Sequence, residues 1–185
     1  MGPTAPPFVL RRAQAVDALP LAVLATQVWL HTYATEGISA ELAAHVQAEL
    51  TPGRYRALID DPQVRVELAA TADGHPGAGN LLGLAVTQLD TPCPDRPAHR
   101  AELRTLYVQE HALRRGIGTR LLHAASAWAQ QHTGAPPWLS VNARNARALA
   151  FYARHGHVRV GTLHFVLGQG RHENHVLVGP PPGPG

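Results

Sequence analysis

The segment 113–122, LRRGIGTRLL, sets two arginines and two glycines against the start of an apolar helical pattern. A helix N-terminus carries N–H groups without intrahelical acceptors and a partial positive charge, which suits phosphate. Gly116 and Gly118 let the backbone approach an anion with no Cβ in the way. Thr119 adds a hydroxyl, while Arg114 and Arg115 add charge. Taken alone, G-x-G has a second reading as a plain turn. The dinucleotide fingerprint fails, because no third glycine follows at the required spacing.

A second signal lies downstream. The stretch VNARNARALAFYARHGHVRVG contains N-x-x-A-x-x-F-Y-x-x-x-G at Asn145, Ala148, Phe151, Tyr152 and Gly156. With the strand, loop and helix before it, this segment resembles the GCN5-related N-acetyltransferase (GNAT) family. That family's pattern is Q/R-x-x-G-x-G/A ahead of a pyrophosphate-binding helix, then an asparagine-to-tyrosine segment. The likeness in motifs covers residues 101–157, and Leu113 stands where the family has glutamine or arginine. The missing side-chain contact falls to Arg114 or Arg115.

The resemblance implies an α/β, GNAT-type acyl-CoA N-acyltransferase fold, with a mixed, largely antiparallel central sheet flanked by helices. It implies acetyl-CoA as co-substrate. The strand AELRTLYV would splay from the strand WLSV to admit the pantetheine arm. Leu106, Tyr107 and Val108 would line that arm, the backbone of Leu106 and Val108 bonding its amides. The amides of Arg114, Arg115, Gly116, Ile117, Gly118 and Thr119 would hold the pyrophosphate, with Asn145 and Tyr152 supporting the cofactor from the far side.

Amine acetylation needs a neutral nucleophile, a polarised thioester and a proton for the leaving thiolate. Glu102 lies fourteen residues before Gly116, where some family members carry a catalytic glutamate. It either takes the ammonium proton or bridges Arg104 or Arg100 at the surface. Tyr152 has two roles open: proton donor to the thiolate, or packing on the cofactor arm. A phenol near pKa ~10 donates to a thiolate whose conjugate acid is near ~8.5 if held within hydrogen-bond reach, and the donor role is favoured. Phe151 reads as core. His31, Tyr33 and Glu36, in WLHTYATEG, sit where the family builds its acceptor site; capping and packing is their other reading. The acceptor classes are a polyamine, an amino sugar, another small amine or a protein N-terminus. A non-catalytic acetyl-CoA-binding module is the rival to an enzyme, and a homodimer is common in the family.

All sixteen basic residues are arginine. A lysine-dependent phosphate loop and a lysine Schiff base are therefore excluded. Net charge is +3 and aromatics are 5% of the chain, which favours no nucleic acid. Cys93 is the only cysteine, so there is no internal disulfide and no thiolate zinc cluster. His172 and His175 in RHENH lack the H-E-x-x-H spacing and read as surface residues rather than metal ligands. No apolar run approaches a membrane span, and a soluble, cytoplasmic protein is expected.

The elements that must position these groups follow from periodicity. FVLRRA, QVRVELAATAD, NLLGLAVTQLD, AELRTLYV, WLSV, HVRVGTLHFVL and HENHVLVG read as strands. Helices are expected over 17–34, over 39–50 with Ser39 as N-cap and Ala43, Val46 and Leu50 on one face, after Gly116, and over 145–156. Alternation in AELRTLYV puts Glu102, Arg104, Leu106 and Val108 on one face and Leu103, Thr105 and Tyr107 on the other. The expected organisation is one catalytic domain, 8–179, between mobile tails at 1–7 and 180–185.

Overall fold

The computed structural model describes residues 7–167 and 170–180. Apart from Pro7 and Pro180, the expected tails lie outside the described residues. Chain order is β1 (Phe8–Arg12), α1 (Ala18–Tyr33), α2 (Ala40–Glu49), α3 (Pro52–Asp60), β2 (Val64–Thr71), β3 (Leu81–Gln88) and β4 (Glu102–Val108). It continues through α4 (Ile117–Thr133), β5 (Trp138–Asn142), α5 (Ala146–Arg154), β6 (Val158–Leu167) and β7 (Gly170–Val178). The seven strands form one sheet in the order β1-β2-β3-β4-β5-β7-β6. β1 runs antiparallel to β2, and β7 to both β5 and β6, while β4 and β5 are parallel. The expected mixed, largely antiparallel sheet is present.

Two helices differ from expectation. α3 was not anticipated, because Thr51-Pro52-Gly53 reads as a turn. The same residues start a helix: Thr51 Oγ1 accepts from the Arg54 N–H at 3.3 Å, and Pro52 fills the first turn, where its missing donor costs nothing. Ser39 caps α2 as expected, its hydroxyl accepting from the Leu42 N–H at 3.2 Å. The apolar face expected there is not buried: Ala43 is exposed, and Val46 and Leu50 are half-buried.

The chain divides into two compact units, Met1–Val86 with Thr105–His123, and Thr87–Arg104 with Ala124–Gly185. In the first, Leu21, Leu24 and Ala25 of α1 pack with Tyr55 of α3 and with Val64, Val66, Leu68, Leu84 and Val86 of the strands. Asp17 closes this core at its edge. Its carboxylate accepts from both Arg11 guanidinium nitrogens, at 2.7 and 2.8 Å, and from the Gln14 N–H at 2.7 Å. Gly83 in β3 is required by close approach, since a Cβ there would meet the Tyr107 carbonyl oxygen at 2.7 Å.

In the second unit, Cys93 from the proline-rich loop joins Trp138, Val176 and Val178 in a buried cluster. The loop holds this shape through a hydrogen bond from the Cys93 N–H to the His99 carbonyl at 2.8 Å. The Trp138 indole donates to the Thr91 carbonyl at 2.7 Å.

Candidate active site

Within the first unit, β4 runs out through Leu106, Tyr107 and Val108, all half-buried, into a short 3-10 turn at Glu110–Ala112. Leu113 is extended, and the chain then turns through two left-handed positions, Arg114 at φ 60° and Gly116 at φ 80°. A non-glycine residue in that region costs of order ~1 kcal/mol and points to a built turn. A Cβ at Gly116 would meet no atom within 4 Å, so its backbone faces open space. The first i→i−4 bond of α4 runs from the Arg120 N–H to the Gly116 carbonyl, which leaves the amides of Ile117, Gly118 and Thr119 at the helix mouth. Arg114 and Arg115 are exposed and, among the described residues, neither has an ion-pair partner. Arg115 also lines a cleft of about 910 Å³ with Leu19, Val23, His75 and His111. The loop fits a diphosphate: the Ile117 and Gly118 amides at the helix mouth, a glycine where a side chain would intrude, and two cations without an ion-pair partner among the described residues.

The three candidates at the exit of α1 belong to this unit too. His31 lies 3.4 Å from the Glu110 carboxylate, and Gln109 donates to Gln27 at 2.7 Å, so the end of α1 is tied to the segment after β4. Tyr33 leans on Trp29, ring centroids 5.0 Å apart, and Trp29 stacks on His45 of α2 at 4.5 Å. Glu36 is exposed in the turn that follows. The Trp29 contact orients Tyr33, which is itself exposed, as are His31 and Glu36.

The second unit contains Glu102, Asn145 and Tyr152. Glu102 opens β4 opposite Trp138 of β5, and the Trp138 N–H donates to the Ala101 carbonyl at 2.9 Å. Neither arginine expected to bridge Glu102 does so. Arg104 donates to Gln88 at 2.7 Å, and Arg100 pairs with Asp90 at 3.2 Å. Burial pushes the Glu102 carboxyl above its ordinary pKa, with the Arg104 charge working weakly the other way. A half-buried, unbridged carboxylate with raised basicity is suited to take a proton near neutral pH.

Asn145 caps α5, its side-chain oxygen accepting from the Ala148 N–H at 3.0 Å. That is a structural role beside the cofactor role expected of it, and its amide N–H groups keep their donor capacity. Tyr152, in the last turn of α5, is 8% exposed. Its ring meets Phe151 edge-on at 5.3 Å, and burial raises its phenol above the ordinary value. The hydroxyl therefore keeps its proton throughout the neutral range. The Tyr152 carbonyl accepts from the His155 and His157 N–H groups, each at 3.0 Å, and Gly156 takes φ 75° to end the helix. His157, in contact with Tyr152 at 5.4 Å between rings, was missed by the sequence reading. Its one available signal was a histidine where an apolar strand begins.

Comparison with known proteins agrees with this architecture. Residues 29–157 match the family model described as acetyltransferase (GNAT) family. An uncharacterized N-acetyltransferase of Mycobacterium bovis is 30% identical over 162 residues, covering 88% of this chain and 96% of the relative. The crystal structure of the PaiA N-acetyltransferase from Thermoplasma acidophilum, in complex with coenzyme A, superposes with a TM-score of 0.71. It is 18% identical, over 92% of this chain and 96% of its own. The ribosomal-protein-S18-alanine N-acetyltransferase from Escherichia coli gives a TM-score of 0.62 at 18% identity, over 96% of both chains. The match over residues 29–157 and the mycobacterial relative together make this chain a member of the GNAT family of N-acetyltransferases, with acetyl-CoA as acetyl donor.

Proposed function

We propose that this enzyme moves the acetyl group of acetyl-CoA directly to a primary amine of a small molecule, a polyamine or amino sugar being the leading classes. The observation that carries the reading is Glu102: half-buried, without a salt bridge among the described residues, and raised in pKa by burial. In this reading the loop from Arg114 to Thr119 holds the pyrophosphate, Leu106, Tyr107 and Val108 hold the pantetheine arm, and Asn145 braces it. His31, Tyr33 and Glu36 meet the acceptor.

Glu102 takes one proton from the ammonium, directly or through water, and passes it to solvent. The neutral amine attacks the thioester carbon, a C–N bond forms, and the C–S bond breaks with its electron pair on sulfur. Tyr152 protonates the sulfur as it leaves, and the second nitrogen proton restores the phenol. The net change is one amide, one thiol and one proton released. A phenol raised in pKa gives up its proton only as sulfur charge develops, so donation and C–S cleavage occur together. Proximity supplies much of the rate once both partners are bound.

The reading also makes residues 8–179 one catalytic domain, a homodimer the expected assembly and the cytoplasm the expected compartment. The test is free-thiol release with a panel of polyamines, amino sugars, other small amines and peptides bearing a free N-terminus. Turnover of a small amine is the expected result. Turnover of peptides alone would replace the acceptor class, and acetyl-CoA binding without any turnover would leave a binding module.

A further inference from the structure

His157 is nine-tenths buried, and neither ring nitrogen makes a hydrogen bond of good geometry among the described residues. Leaving a buried polar group unpaired forfeits its hydration with nothing in return, and a phenyl ring would fill nearly the same volume without that cost. The imidazole therefore needs an offsetting role, and its contacts point to one. The backbone N–H of His157 donates to the Tyr152 carbonyl at 3.0 Å, and the imidazole ring lies against the Tyr152 ring at an interplanar angle of 56°. On the other side the chain makes room for it: a Cβ on Gly179 would stand 3.3 Å from Nε2.

We propose that His157 is a positioning residue for Tyr152, and that its neutral imidazole holds the last turn of α5 in the arrangement used for acetyl transfer. The proposal rests on the reading of Tyr152 as proton donor. Burial lowers the His157 pKa; the carbonyl of His155 works against this, the charge of His155 works with it, and the Tyr152 carbonyl also works against it. The titratable groups facing the ring from α5 and its closing turn are Tyr152 and His155. Behind it stands Gly179, with Pro136 on the Gly179 side, and neither carries charge; His99 is bonded to the Pro136 carbonyl at 2.9 Å. A protonated ring would seek the Tyr152 carbonyl, which already accepts the two amides that close the helix. Charging His157 thus competes directly with the bonds that seat Tyr152.

The sign follows from linkage. A histidine whose folded pKa lies below its unfolded value contributes stability that is complete above about pH 6.5 and is lost as pH falls through that value toward the folded one. Hydrogen exchange of the full chain, corrected for intrinsic rates, should show protection of residues 149–158 falling by up to roughly tenfold per pH unit in that window, the limit for one linked proton. Residues 64–71 of β2 serve as the internal reference. The single-turnover transfer rate should fall from its plateau over the same window. His157→Phe, or His157→Gln if the first does not fold, should abolish the acid-side loss of protection. It should also flatten that part of the rate profile relative to its own plateau. The same pH dependence in the folded variant would overturn the proposal. Normal transfer by Tyr152→Phe would instead sink the donor reading, leaving the exchange result to stand on its own.

Discussion

The start of α4 and the end of α5 are both helix termini, built on opposite terms. At the first, the chain bends through Arg114 and Gly116, and Arg114 and Arg115 are exposed without an ion-pair partner among the described residues. At the second, Tyr152 and His157 are both 8% exposed, and burial shifts the protonation of each. The contrast has a physical origin. A ligand with permanent charge needs only fixed donors, which work in contact with water. A group that must keep its proton until charge develops beside it is held neutral by burial, which disfavours the charged form.

Breaking the buried end should cost most. Tyr152→Phe keeps the ring and removes the donor, so single-turnover transfer should fall on the order of ~10²-fold with acetyl-CoA affinity little changed. Equal rates in the two proteins would leave water as the proton source. The exposed end should fail in affinity instead. Gly116→Val puts a branched side chain in the left-handed region at φ 80°, where space is available but the backbone is strained. Acetyl-CoA binding by calorimetry should weaken at least tenfold, about 1.4 kcal/mol. Unchanged affinity in a folded variant would refute the phosphate cradle.

Glu102→Gln sharpens the comparison, because its two effects run in opposite directions. Transfer should drop several-fold, most at lower pH where more amine is protonated. Stability should move the other way. A carboxyl whose folded pKa is raised costs stability as pH rises from its unfolded value through the folded one, so the variant should melt above the parent at neutral pH. The gap should close in acid; a parallel offset at every pH would place the cause in packing.

Asp17→Asn should leave transfer nearly untouched. Arg11 holds the Asp17 carboxyl below its ordinary pKa, so its contribution to stability is complete above the ordinary carboxylate range and lost as pH falls through the folded value. The variant should melt earlier at neutral pH and approach the parent in acid. A uniform loss down to low pH would tie the effect to shape instead of charge.

Much of this could be read before any coordinates. The period of two in AELRTLYV and the glycines after it locate β4, the turn and the start of α4, because strand alternation and glycine permissiveness act locally. The start of α3 is hard to read for a local reason as well, since Thr51-Pro52 can open a turn or a helix. The incomplete burial of the α2 face escaped the pattern because Ala43, Val46 and Leu50 have helical spacing whatever the extent of packing on them. His157 was beyond reach for a different reason. The setting of its ring depends on Gly179, distant in the chain, and its nitrogens are buried without hydrogen-bond partners among the described residues.

Burial of Cys93 has a practical consequence. The chain has one sulfhydryl, and it is 1% exposed beneath Trp138 and Val176. A chromogenic disulfide reagent added to the folded enzyme should therefore register coenzyme A as it is released, with almost no background from the protein. When the chain unfolds, the same reagent should register one further equivalent. One colour reaction would then follow catalysis in the native protein and report the loss of the core around the proline-rich loop.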